Sequence, residues 1–73
     1  MDYETYFLSL LQDHTAESDR MKSNIRTSAA ALKEHADELR IHVVTAQQCG
    51  AYRAAEAMTS AWSDLRALAK ARE

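Results

Sequence analysis

The chain of 73 residues contains no proline and a single glycine, Gly50. Proline ends or kinks helices and glycine marks turns, so Gly50 is the one obvious interruption in the sequence. The rest of the composition favours helix, with alanine, leucine, glutamate, lysine and arginine recurring throughout. The one β-branched cluster, residues 41–44, lies inside a 3.6-residue pattern and is read as helix. We therefore predict an all-α protein.

Two apolar stripes with helical spacing lie on either side of Gly50. The first comprises Met21, Ile25, Ala29, Leu32, Ala36, Leu39, Val43 and Ala46. The second comprises Ala51, Ala54, Ala55, Met58, Ala61, Trp62, Leu65, Leu68 and Ala69. A glycine just past a helix end commonly adopts the left-handed conformation that stops the helix. The pattern thus predicts an antiparallel helical hairpin with a short turn at Cys49 and Gly50.

The N-terminal segment is predicted to be a helical arm of the same domain, which spans residues 1–73. Residues 12–24 contain only Ala16 and Met21 as apolar groups, which favours a break near residues 12–17 with Asp13 or Thr15 as a helix cap. The predicted bounds are about 2–13 for the arm, 15–48 for the long helix, 49–50 for the turn and 51–71 for the last helix.

The competing interpretation is one unbroken helix from Asp2 to about Gln47, of which the last helix would cover only about half. Either the arm folds back to give a three-helix unit, or a second chain covers it and the protein is half of a dimeric helical bundle.

Charge is distributed unevenly along the chain. Residues 1–19 carry five acidic and no basic groups, whereas residues 20–73 carry all nine Lys and Arg against six acids. The net charge of −2 argues against strong non-specific binding to nucleic acid or to a membrane surface. No apolar run approaches the ~20 residues that span a bilayer, and the acidic start of the chain is unlike a targeting peptide. We expect a cytoplasmic protein.

No pattern in the sequence indicates catalysis or a cofactor. Successive histidines His14, His35 and His42 are separated by 21 and 7 residues, whereas two histidines on one helix chelate a metal at i, i+4. The sequence therefore predicts no chelate within one chain, no metal and no cofactor. Glu38 and His42 are read as a surface pair at i, i+4. Cys49 has no neighbouring histidine in the predicted hairpin, so we expect a protein that is not an enzyme.

The predicted contact surface is the acidic, aromatic arm. Aromatic anchors with few competing polar groups are typical of binding hot spots, and the arm's candidates are Tyr3, Tyr6, Phe7, Leu10 and Leu11. These side chains either pack within the protein or its homodimer, or dock on another protein. The sequence favours a stoichiometric inhibitor, adaptor or chaperone-type regulator, a role common among small bacterial or phage proteins.

The alternative function is a dimeric regulator that binds RNA or DNA. It depends on a basic edge of the long helix formed by Lys22, Arg26, Lys33 and Arg40. Residues Leu32 to Leu39, with the sequence LKEHADEL, resemble a stretch of the second helix of Rop, a dimeric four-helix bundle that binds paired RNA loops. The resemblance covers eight residues and does not extend to the face that this family uses for RNA.

Overall fold

The computed structural model describes residues 2–73 and contains three helices in this range: α1 (Tyr3–Ser23), α2 (Ala29–Gln48) and α3 (Tyr52–Ala71). Helices α2 and α3 pack closely along their length, and α1 lies against both with fewer contacts. The predicted all-α class is confirmed, and the arm folds back as the third helix of the unit. The α1 arm runs antiparallel to α2 and parallel to α3, since its two ends meet the corresponding ends of α3.

The turn after α2 forms as the sequence predicts. Gly50 has a φ of +77°, in the left-handed region that favours glycine. Its amide donates to the carbonyl of Gln47 at 3.1 Å, and the Ala51 amide donates to that of Ala46 at 2.8 Å. This pair of bonds is the Schellman arrangement, which satisfies carbonyl groups that the helix end leaves free. This turn ends α2 and lets α3 fold back antiparallel to it.

The break between α1 and α2 lies at residues 24–28, so the prediction of a break near residues 12–17 is wrong, and so is the unbroken helix. The Asn24 side chain accepts from the Arg26 amide at 2.9 Å, and Ser28 caps α2 by accepting from the Ala31 amide at 3.1 Å. An unbroken helix of 46 residues would be about 69 Å long, whereas the longest extent of the molecule is 40 Å.

The break also divides the first predicted stripe. Met21 belongs to α1 and packs against the core, whereas Ile25 lies in the connection and is 91% exposed. The part of the stripe on α2 and the whole second stripe do face the core or its edge. The side chains that are fully buried and largest are those of Leu32, Leu39, Val43, Met58 and Leu65. Alanines fill much of the remaining contact, which lets the helix axes approach closely.

Each end of α1 is joined to α3 by a side chain that caps a helix. The N-cap residue of α3, Ala51, has no side-chain acceptor. The carboxylate of Glu4 on α1 takes its place and accepts from the backbone amides of Arg53 at 3.2 Å and Ala54 at 3.0 Å. At the other end, the Arg72 guanidinium donates to carbonyl groups where α1 stops. These bonds fix the position of α1 along the hairpin.

Replacing Glu4 with alanine is expected to lower the free energy of unfolding by about 1–2 kcal/mol, because two amides in the first turn of α3 lose their acceptor. Urea denaturation followed by far-UV circular dichroism measures this loss. The control is Glu17→Ala on the same helix. The Glu17 carboxylate pairs with Arg20 in the next turn, and its removal should cost less than about 0.5 kcal/mol. Equal losses in the two variants would contradict the capping role.

Candidate functional site

The predicted contact residues of the arm divide between the core and the surface. Phe7 is only 3% exposed and belongs to the core, and Leu10 and Leu11 pack partly buried against it. Tyr3 and Tyr6 remain 45% and 53% exposed. The aromatic face predicted from the sequence is therefore largely a packing face, and the part of it that a partner can reach consists of the two tyrosines.

The exposed tyrosines gather at one end of the bundle. Tyr52, the first residue of α3, is 69% exposed, and the Glu4 cap places the start of α1 beside the start of α3. The ring of Tyr6 meets that of Phe7 edge to face, with centroids 5.0 Å apart. Because Phe7 is held in the core, this contact limits the orientations available to the Tyr6 ring.

The basic edge predicted for one long helix does not form as a continuous row. Lys22 lies on α1 and Arg26 in the connection, whereas Lys33 and Arg40 lie on α2. The Arg40 guanidinium lies 5.2 Å from the centroid of the Trp62 ring, which is within cation–π range. Arg40 is therefore directed toward α3. The reason is the break at residues 24–28, which reverses the chain, so the four basic residues do not lie on one helix.

A histidine pair lies between α1 and α2, at a place that the sequence did not indicate. The rings of His14 and His35 are stacked with centroids 3.7 Å apart and planes 9° from parallel. His35 is 9% exposed, and the neighbouring Ser18 is 4% exposed. The sequence analysis placed the histidines on one straight helix and so did not anticipate this contact. The reversal at residues 24–28 brings the two helices side by side.

Hydrogen bonds indicate that Nε2 carries a hydrogen in both rings. The Nε2 atom of His14 lies 3.0 Å from the backbone oxygen of His35, which can only accept, so Nε2 carries the hydrogen. The Ser18 hydroxyl donates to the backbone oxygen of His14 at 2.9 Å. Its oxygen is thus the acceptor for Nε2–H of His35, 2.9 Å away. When the rings are neutral, the lone pair of each is therefore on Nδ1.

Glu38 completes the cluster one turn after His35 on α2. One ring nitrogen of each histidine and one carboxylate oxygen of Glu38 lie within 4.8 Å of one another. Burial lowers the pKa of His14, and the adjacent His35 lowers it further, against the opposing effects of the His35 carbonyl and of Glu38. The His14 ring is therefore unprotonated near neutral pH. The cluster joins two imidazole rings to one solvent-exposed carboxylate.

These features define a small all-α protein of three helices, in which α1 and α3 are parallel and α2 is antiparallel to both. The protein has one exposed aromatic end and one polar cluster in the α1–α2 contact. Over residues 2–73, none of the helices has the length and apolarity needed to cross a bilayer. Comparisons with protein-family models, with curated proteins and with solved structures find no match to this chain.

Proposed function

We propose that this chain is a non-enzymatic protein-binding module that acts stoichiometrically on a partner protein, as an inhibitor, adaptor or chaperone-type regulator. The observation that supports this most directly is the exposure of Tyr3 and Tyr6, at 45% and 53%. They extend from a helix whose opposite face is already used by the core. Their exposed ring surface makes no evident contribution to folding, and it is available to a second macromolecule.

Tyrosine suits this role for two physical reasons. It offers a large contact area and a hydroxyl group, and it loses little rotamer entropy on binding because it has only two side-chain torsions. The edge-to-face contact with Phe7 restrains Tyr6 further before any partner arrives. A partly preorganised aromatic pair on a rigid helix is a good anchor for a groove on another protein.

Two acids of the arm cap helices. Glu4 caps α3, and Asp2 caps α1 by accepting from the Thr5 amide at 3.4 Å and the Thr5 hydroxyl at 2.6 Å. The hydrogen bonds from Thr5 lower the pKa of Asp2. Since both carboxylates are engaged in capping, the proposal depends on the aromatic contact and not on the charge of the arm.

Photo-crosslinking in cells of the source organism tests this proposal. Benzoylphenylalanine placed at Tyr6 should crosslink to one defined protein or to a second copy of the chain. The matched control is the same group at Ile41, which is 66% exposed on α2. The double variant Tyr3→Ala, Tyr6→Ala should lose the crosslinked partner in a pull-down while it stays folded, with a cooperative melting curve only a few degrees below that of the parent. Identical products from positions 6 and 41, or no product from position 6, would contradict the proposal.

A further inference from the structure

We propose that His14, His35 and Glu38 bind one divalent transition-metal ion of the zinc class in the contact between α1 and α2. The site is distinct from the tyrosine surface. It rests on three features of the cluster: the type of its ligands, the hydrogen bonds that orient them, and its position in an otherwise apolar contact.

The ligand set fits zinc and its neighbours in the first transition row. Two imidazole nitrogens and a carboxylate are a common three-ligand set for Zn²⁺, with a fourth position left to water. Mg²⁺ and Ca²⁺ prefer oxygen ligands throughout. Ligand atoms around tetrahedral zinc lie about 3.3 Å apart, from metal–nitrogen distances of about 2.0–2.1 Å. One nitrogen of each ring and one Glu38 oxygen lie within 4.8 Å of one another, so the three groups must approach by up to about 1.5 Å to hold the ion.

The hydrogen bonds prepare both rings as ligands. A metal-binding histidine usually donates its second N–H to a carbonyl or another acceptor, which fixes the ring and selects the nitrogen that coordinates. His14 donates from Nε2 to the His35 carbonyl, and His35 donates from Nε2 to Ser18. The Nδ1 atom of His14 is 3.5 Å from the Ser18 oxygen, too long for a firm hydrogen bond. The lone pair at Nδ1 of His14 is thus left for a metal ion, and the Nε2–H bond of His35 makes Nδ1 the nitrogen that would coordinate in that ring.

The position of the cluster is also unusual for a purely structural contact. His14 and Ser18 occupy the face of α1 that Phe7, Leu11 and Met21 use for packing. Polar side chains lose their contact with water when they are buried, which costs free energy that a chain of only 8.2 kDa must offset. Apolar side chains at these positions would avoid that cost. Metal binding would explain why polar residues occupy these positions, whereas packing alone does not.

Binding requires the two rings to leave their stacked arrangement at the α1–α2 contact. The two rings are nearly parallel, so lone pairs on them do not meet at one point, and the rings must tilt toward each other. Glu38 is exposed and free to change rotamer. Because the ion would join α1 to α2, its binding to the folded chain should raise the melting temperature.

The test uses the full chain with Cys49→Ser, which removes the exposed thiol as a competing ligand. Protein freed of metal by a chelator is titrated with Zn²⁺ by calorimetry and with Co²⁺ by visible absorption. We expect one ion per chain, a higher melting temperature with Zn²⁺, and cobalt d–d bands of a nitrogen- and oxygen-ligated site. Mg²⁺ should give neither heat nor a melting shift. Absence of saturable binding of both Zn²⁺ and Co²⁺ would overturn the proposal.

Single substitutions assign the ligands. His14→Gln, His35→Gln and Glu38→Gln should each abolish or sharply weaken binding, and Ser18→Ala should weaken it about tenfold through loss of ring orientation. His42→Gln, a neighbouring histidine outside the cluster, should bind as the parent does. Because Glu38 is exposed, its variant keeps the fold even if a buried histidine variant does not. Unchanged binding in Glu38→Gln, or equal loss in His42→Gln, would refute this ligand set.

Discussion

Replacing Phe7 with alanine is expected to lower the free energy of unfolding by about 3–5 kcal/mol, the cost of removing a buried aromatic ring and leaving a cavity. Phe7 is the only residue of α1 in the buried apolar core, at 3% exposure. A chain of this size has a total stability of about 4–11 kcal/mol. We therefore expect α1 to detach from the hairpin first, with loss of amide protection in α1 before α2 and α3.

Urea denaturation followed by circular dichroism gives the total loss, and native-state hydrogen exchange locates it. Tyr6→Ala is the matched control, because it removes an aromatic ring from the adjacent position, which is 53% exposed. It should cost less than about 1 kcal/mol. If Phe7→Ala keeps wild-type stability and loses only partner binding, Phe7 is a contact residue, as the sequence suggested, and its burial has little energetic weight.

The contrast between Phe7 and Tyr6 shows what the apolar pattern predicts reliably. Periodicity predicted the α2–α3 hairpin and the turn at Gly50, because these depend on long apolar stripes and on the one residue that tolerates a positive φ. It predicted an apolar face on the arm but could not say what covers that face. The answer depends on the direction in which α1 leaves its connection to α2.

The position of the break was missed because buried polar residues looked like a gap in the stripe. His14 and Ser18 continue the inward face of α1 through the segment where apolar residues are absent, and their hydrogen bonds make this burial acceptable. The stronger signals were Asn24 and Ser28, each of which bonds to the backbone two or three residues later. Turn chemistry at those two residues was more informative than the missing apolar groups.

The histidine cluster could not be predicted from spacing along the chain. His14 and His35 are 21 residues apart, and their contact depends on the register at which α1 lies against α2. Interactions between sequence-distant residues set this register, above all the Glu4 carboxylate at one end and the Arg72 guanidinium at the other. Neither side chain belongs to an apolar stripe, so a search for amphipathic faces passes over both.

Arg72→Ala is therefore expected to destabilise the protein by about 1–3 kcal/mol, far more than an average surface substitution. The guanidinium donates to three backbone carbonyls, those of Lys22 at 3.0 Å, Asn24 at 3.1 Å and Thr27 at 2.9 Å. The positive charge of Arg72 also interacts favourably with the negative, C-terminal end of the α1 dipole. Hydrogen exchange should show faster opening of residues 20–28, and thermal denaturation should show the loss of stability.

Two comparisons separate the geometry of Arg72 from its charge. Arg72→Lys keeps the charge but has a single ammonium in place of the planar fork, so it should recover only part of the stability. Arg66→Ala removes a partly exposed arginine of the same helix, whose carboxylate contact with Asp37 is long at 3.7 Å, and should cost less than about 1 kcal/mol. Full recovery by lysine would mean that charge alone holds the end of α1. A loss in Arg66→Ala equal to that in Arg72→Ala would show that the carbonyl contacts add nothing specific.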